Sequence, residues 1–143
     1  MIFELVTPEK LVLREEVDSV SVPTTSGEIT ILANHVPLVS NVSAGVLHLK
    51  RGADEEDIAV YGGVIQISEG GRIRLLAETA ERGHELVLED IEAAHARAEK
   101  VMSEAAHTND VAFAAAAAAL ERETARLKTV RRHRGVRHQS VDK

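Results

Sequence analysis

The chain has 143 residues, a net charge of −6 and no cysteine. That length suits one compact domain, or a domain of about ninety residues with an appendage, and folding could bury roughly two thirds of the unfolded surface. Without cysteine there is no disulfide, iron–sulfur cluster or thiolate zinc site.

Charge is unevenly placed. Residues 121–143 carry eight Lys/Arg against three Asp/Glu, so this end is +5 and the remainder −11. The start, MIFELVTPEK, has no basic segment ahead of an apolar run. The longest apolar run, Val111 to Leu120, is half a membrane span and mostly Ala, so no bilayer insertion is expected.

Up to about residue 83 apolar residues recur with period two. VSV at 20–22, ITI at 29–31, LHL at 47–49, VIQIS at 64–68 and RIRL at 72–75 read as short, half-buried strands. All three prolines and eight of the nine glycines fall here, and TSGE, RGADEED, GG at 62–63 and EGGR are expected to be turns or bulges. The spacing predicts an antiparallel β-sandwich or barrel over 1–84.

From Leu88 the period becomes helical. Leu88, Ile91, Ala94, Ala98, Val101, Met102 and Ala105 share one face. The helix stops near AAHTND, where Thr108, Asn109 or Asp110 can cap a second. That second helix carries Phe113, Leu120 and Leu127 seven apart, with Ala116, Ala117, Thr124 and Val130 between them. A short connection predicts an antiparallel α-helical hairpin over 85–134, leaving 135–143 as a disordered tail and making the fold class α+β. The Ala run at 114–119 favours helix, yet an Ala methyl contributes only about 0.8 kcal/mol on burial against about 1.5–3 for Leu or Phe. An Ala-lined hairpin therefore packs closely and holds weakly.

The seven histidines, His35, His48, His84, His95, His107, His133 and His138, share no zinc-like spacing with acidic partners. The four carboxylates at 54–57 read as a solvated turn. No glycine-rich loop has phosphate-binding spacing, and no Ser or Thr lies in a nucleophile elbow, so neither an active site nor a metal is expected. The basic end could meet nucleic acid, but with no aromatic residue after Phe113 it lacks stacking groups for single strands. An acidic protein surface is the other candidate.

GEITILANHVPLVSNVSAGVLHL at 27–49, followed by YGGVIQISEGGRIRLLAETAER at 61–82, resembles the epsilon subunit of F-type ATP synthases. The more specific block holds Gly62, Gly63, Leu76, Ala77, Glu78, Thr79, Ala80 and Arg82. The likeness covers about residues 1–134 and departs where Thr30 replaces the usual Gly and Ala33 the usual Pro. It implies a non-catalytic subunit on the rotating central stalk, bound to gamma and to the ring of c subunits. The resemblance turns Ala33, Asn34, His35 and Pro37 towards gamma and Glu28 towards the c-ring. It also implies a hairpin that folds against the sandwich or extends along gamma towards alpha and beta, where its second helix obstructs ATP hydrolysis. The matching basic residues are Arg122, Arg126, Lys128, Arg131, Arg132 and Arg134.

Some members of that family bind ATP through [IL]-D-x-x-R-A at the start of the first helix. One register sets Leu86, Val87, Asp90 and Ile91 on this motif; another begins at Leu88 and sets Glu89, Glu92 and Ala93 there. Either way an acid stands where Arg is required, so ATP binding is expected to be weak or absent and no cofactor is implied. The resemblance places the chain peripherally on the cytoplasmic face of a bacterial plasma membrane, or the stromal face of a plastid membrane. The competing reading is a free-standing adaptor whose basic hairpin binds nucleic acid.

Overall fold

The computed structural model describes residues 1–105 and 110–141, with side chains described for 1–104 and 111–132. Among these, eight strands precede two helices: β1 (Ile2–Val6), β2 (Leu11–Glu16), β3 (Ser19–Thr24), β4 (Gly27–Ile31), β5 (Leu38–Val42), β6 (Gly45–Arg51), β7 (Asp54–Ser68) and β8 (Arg72–Arg82), then α1 (Leu88–Ala105) and α2 (Asp110–Val141). The period-two segments are strands because alternation puts one side chain of each pair inside. In β8, Ile73, Leu75 and Ala77 are buried while Arg72, Arg74 and Leu76 face solvent. Phe3, Leu5, Val20, Val22, Leu49, Ile58 and Ile65 complete a core with no exposed surface.

The strands follow the order β2-β1-β8-β7-β5-β3-β4, with β6 joined to β3 and β7. The expectation of an all-antiparallel arrangement needs one correction. β1 pairs parallel with β8, Ile2 opposite Arg72 and Val6 opposite Leu76. A parallel pair needs a long crossover, and here six strands lie between the two partners.

Strand β7 ties the two layers together. Asp54 to Val60 pairs with β6, Gly63 to Ile67 pairs with β5, and β8 pairs along the stretch from Ile58 to Ser68. The expected turn or bulge at Gly62–Gly63 is the point where β7 changes neighbours. Gly63 has φ +133, and a Cβ there would lie 2.1 Å from the Leu76 carbonyl oxygen, so this position accepts only glycine. RGADEED is likewise shorter as a turn than its composition predicts, because the carboxylates at 54–57 already belong to β7.

The helices form the hairpin, and α2 carries most of its contact with the sandwich, lying over β6 and β7. Ile91 and Ala98 of α1 and Ala116, Ala125, Thr129 and Val130 of α2 are buried, whereas Val101 and Phe113 stay 51% and 37% exposed. The expected seam is thus partly open at its distal end. Helix α2 continues to Val141 where a disordered tail was expected from 135. The caps sought at Thr108 and Asn109 lie outside the described residues.

Candidate functional site

The densest polar arrangement lies where α2 meets the sandwich. Ala125, 2% exposed, packs on Ala59 and Tyr61, flanked by Ala44 and Leu86. Its small side chain lets the helix approach β7, so flanking long side chains reach the sheet.

Arg126 Nε donates to Glu81 Oε2 at 2.6 Å, and its Nη1 donates to both Glu123 oxygens at 3.0 and 3.1 Å. Tyr61 Oη donates to the same Glu81 oxygen at 3.2 Å, and the Arg122 guanidinium lies 5.7 Å from the Tyr61 ring centroid. Burial, reinforced by the Glu81 carboxylate, pushes the Tyr61 phenol well above its ordinary value. Burial opposes the Arg126 charge, but Glu81 and Glu123 outweigh it and hold the guanidinium more firmly protonated than usual.

Further along α2, Arg132 Nε sits 3.4 Å from Asp57 Oδ2, while Asp57 Oδ1 accepts from His48 Nδ1 at 2.6 Å. Asp57 is 5% exposed. A carboxylate this deep requires partners, and a histidine with a helix-borne arginine provides them. The solvated-turn reading of 54–57 is therefore corrected for two of its members: Asp57 is buried and paired, and Glu56 accepts from Arg82 and Arg51. Bonding to Glu56 raises the Arg82 guanidinium further still, against some burial.

Of the basic residues singled out from the sequence, Arg122, Arg126 and Arg132 thus reach the sandwich. Lys128 is exposed beside a cleft of about 460 Å³ between α2 and residues 43–45. Arg131 points to solvent, and the Arg134 side chain lies outside the described residues. Of their partners, Tyr61 and Glu81 were not singled out and Asp57 was read only as part of a solvated turn, because pairs such as Glu81 and Arg126 leave no local pattern in the chain.

A second surface lies at the other end of β5. Ala33, Asn34 and Pro37 are exposed and His35 is half-buried, its Nδ1 donating to the Val36 carbonyl at 2.7 Å. Asn34 takes φ +65, a left-handed conformation that Asn tolerates. Leu32, Val36 and Val39 are 58%, 70% and 66% exposed, an unusual density of bare aliphatic groups. Glu28 is exposed early in β4, beyond the Thr24–Gly27 turn. Among the described residues no His, Asp and Glu cluster is arranged to hold a metal.

Residues 1–83 match the family described as "ATP synthase, Delta/Epsilon chain, beta-sandwich domain". The chain belongs to the ATP synthase epsilon family. It is 37% identical over 131 residues to the ATP synthase epsilon chain of Herpetosiphon aurantiacus, covering 92% of this chain and 94% of that one. With the epsilon chain of Desulforamulus reducens it shares 39% identity over 108 residues, 76% of this chain and 81% of the relative. Its fold is similar to a chain in the mitochondrial ATP synthase of Euglena gracilis, an OSCP/F1/c-ring assembly, with TM-score 0.75 and 21% identity over 85% of this chain and 75% of that one. Members of this family are non-catalytic subunits of the F-type ATPase central stalk.

Proposed function

We propose that this epsilon-family chain couples the catalytic head to the c-ring through gamma and that its hairpin restrains ATP hydrolysis. The observation carrying this reading is that Arg122, Arg126 and Arg132 are engaged by Tyr61, Glu81 and Asp57 of its own sandwich. An acidic surface elsewhere, such as the catalytic head, competes for these same guanidinium groups. The folded hairpin withholds them, and the extended hairpin offers them to alpha and beta. The bare aliphatic loop carrying Ala33, Asn34, His35 and Pro37 faces gamma, and Glu28 faces the c-ring. The two units are the sandwich at 1–84 and the hairpin beginning at 85. The chain sits peripherally at a membrane through these partners, and among the described residues no helix is long and apolar enough to cross one.

Titrating ATP hydrolysis by the cognate alpha, beta and gamma complex with the full chain and with a version ending at residue 84 tests the regulatory part. The expected result is that both versions bind and only the full chain inhibits. Equal inhibition by both would remove the hairpin from regulation. We further propose that the hairpin binds ATP weakly or not at all, because Asp90 or Glu92 stands where an arginine would grip the phosphates. Calorimetry on the full chain should register no heat of binding at sub-millimolar ATP.

A further inference from the structure

The outward face of β2, β1, β8, β7 and β5 carries one continuous cross-strand row. Arg14 lies opposite Glu4, Glu4 opposite Arg74, Arg74 opposite Gln66, and Gln66 opposite Val39. Arg72 stands two residues before Arg74, on the same face and opposite Ser68. All of these except Val39 line a polar depression of about 420 Å³.

Charge in this depression is unbalanced. Arg74 Nε is 3.5 Å from Glu4 Oε1, and Arg74 remains 59% exposed. Arg14 and Arg72 are exposed and make no ion pair among the described residues. Three arginines and one glutamate line this depression, within a body, residues 1–120, whose formal charge is −11. Guanidinium forks suit carboxylates, and these are fixed on paired strands rather than on a loop.

At its other end the row meets Val39, 66% exposed, and a neighbouring depression that includes Pro37 shares Gln66 and Ser68 with the arginine one. With strands about 4.8 Å apart, Arg74 lies about 10 Å from Val39 across the sheet and Arg14 about 19 Å. The basic depression thus continues the aliphatic surface already read as facing gamma.

We propose that the gamma-facing surface extends across this sheet face, and that Arg14, Arg72 and Arg74 receive carboxylates of the gamma partner, spaced about 10 to 19 Å from the apolar group that covers Val39. This rests on the reading of the loop at 33–37 as the gamma side. Aliphatic contact supplies the desolvated centre, and the arginines supply orientation and a salt-dependent rim.

The test measures binding of the full chain to purified cognate gamma across a salt series, comparing the unaltered chain, an R14Q/R72Q/R74Q variant and V39D. The triple variant should bind about tenfold more weakly at low salt and show a shallower salt dependence. V39D should weaken binding with the salt slope unchanged. Circular dichroism checks folding, and R72Q alone, which removes no ion pair of the fold, repeats the measurement should the triple variant misfold. Unchanged affinity and slope in the arginine variants, with V39D impaired, would overturn the inference and leave the gamma assignment standing. Failure of the unaltered chain to bind gamma would overturn both. Vesicles containing phosphatidylglycerol form the third arm: loss of vesicle binding by the triple variant with gamma affinity intact would assign the depression to a membrane and overturn the proposal.

Discussion

The sandwich and the hairpin solve the same burial problem with different materials. The sandwich encloses Phe3, Leu5, Ile31, Leu47, Ile58, Ile65, Ile73 and Leu75 almost completely, large side chains whose burial contributes about 1.5–3 kcal/mol each. The hairpin's contact is built on Ala125 and ringed by charge, with Glu81 and Asp57 receiving Arg126 and Arg132. An apolar core has no alternative partner, whereas a guanidinium released from one carboxylate can be taken up by another. The sandwich is therefore the permanent part, and the hairpin is the part whose attachment other charged surfaces can contest.

The sharpest way to break this comparison is to strike each region at its own centre. Leu75→Ala removes a fully buried side chain and should cost about 2–5 kcal/mol, read as a fall in the denaturant midpoint of the whole protein. A cost under about 1 kcal/mol would mean that the sandwich is no better packed than the hairpin. Ala125→Glu sets a carboxylate against Tyr61 and Ala59 and near Glu81 and Glu123. It should release α2 while shifting the sandwich's own unfolding by less than about 1 kcal/mol. Amide exchange should then rise in α2 and stay slow in β1 and β8. Exchange rising equally in both would show that the two regions are one cooperative unit.

The smallest effect is a pH dependence. Tyr61 has its phenol raised by burial and Glu81, so the docked state favours the neutral form. That contribution is complete below the free tyrosine value of about 10 and is lost as pH rises beyond it. Tyr61 is the only tyrosine, and there is no tryptophan, so near-ultraviolet absorbance follows this group alone. Its ionisation should move towards the ordinary tyrosine range in the Ala125→Glu variant; an identical titration in both proteins would detach the shift from docking.

Much of the sandwich was legible because alternation is local: VSV, ITI and RIRL carry their facing in three or four residues. The pairing of β1 with β8 was not, since parallel partners lie six strands apart in the chain and share no turn signal. The charges at 54–57 imitated a loop, and only tertiary partners explain how Asp57 can lie buried in a strand. In α2 the heptad spacing pointed to a partner helix but not to the face turned to the sandwich, because Ala125 and Thr129 look unremarkable in sequence. Thr129 is fully buried, its hydroxyl donating to the Ala125 carbonyl of its own helix.

The change of neighbours along β7 has a mechanical meaning. A part that turns with a shaft must not let its layers slide. With one strand hydrogen-bonded first to β6 and then to β5, shear between the layers would have to bend β7 at Gly62–Gly63 against its pairing with β8 on either side of that point. Under the coupling proposed above, load entering at one rim of the sandwich would reach the other through a body that resists shear.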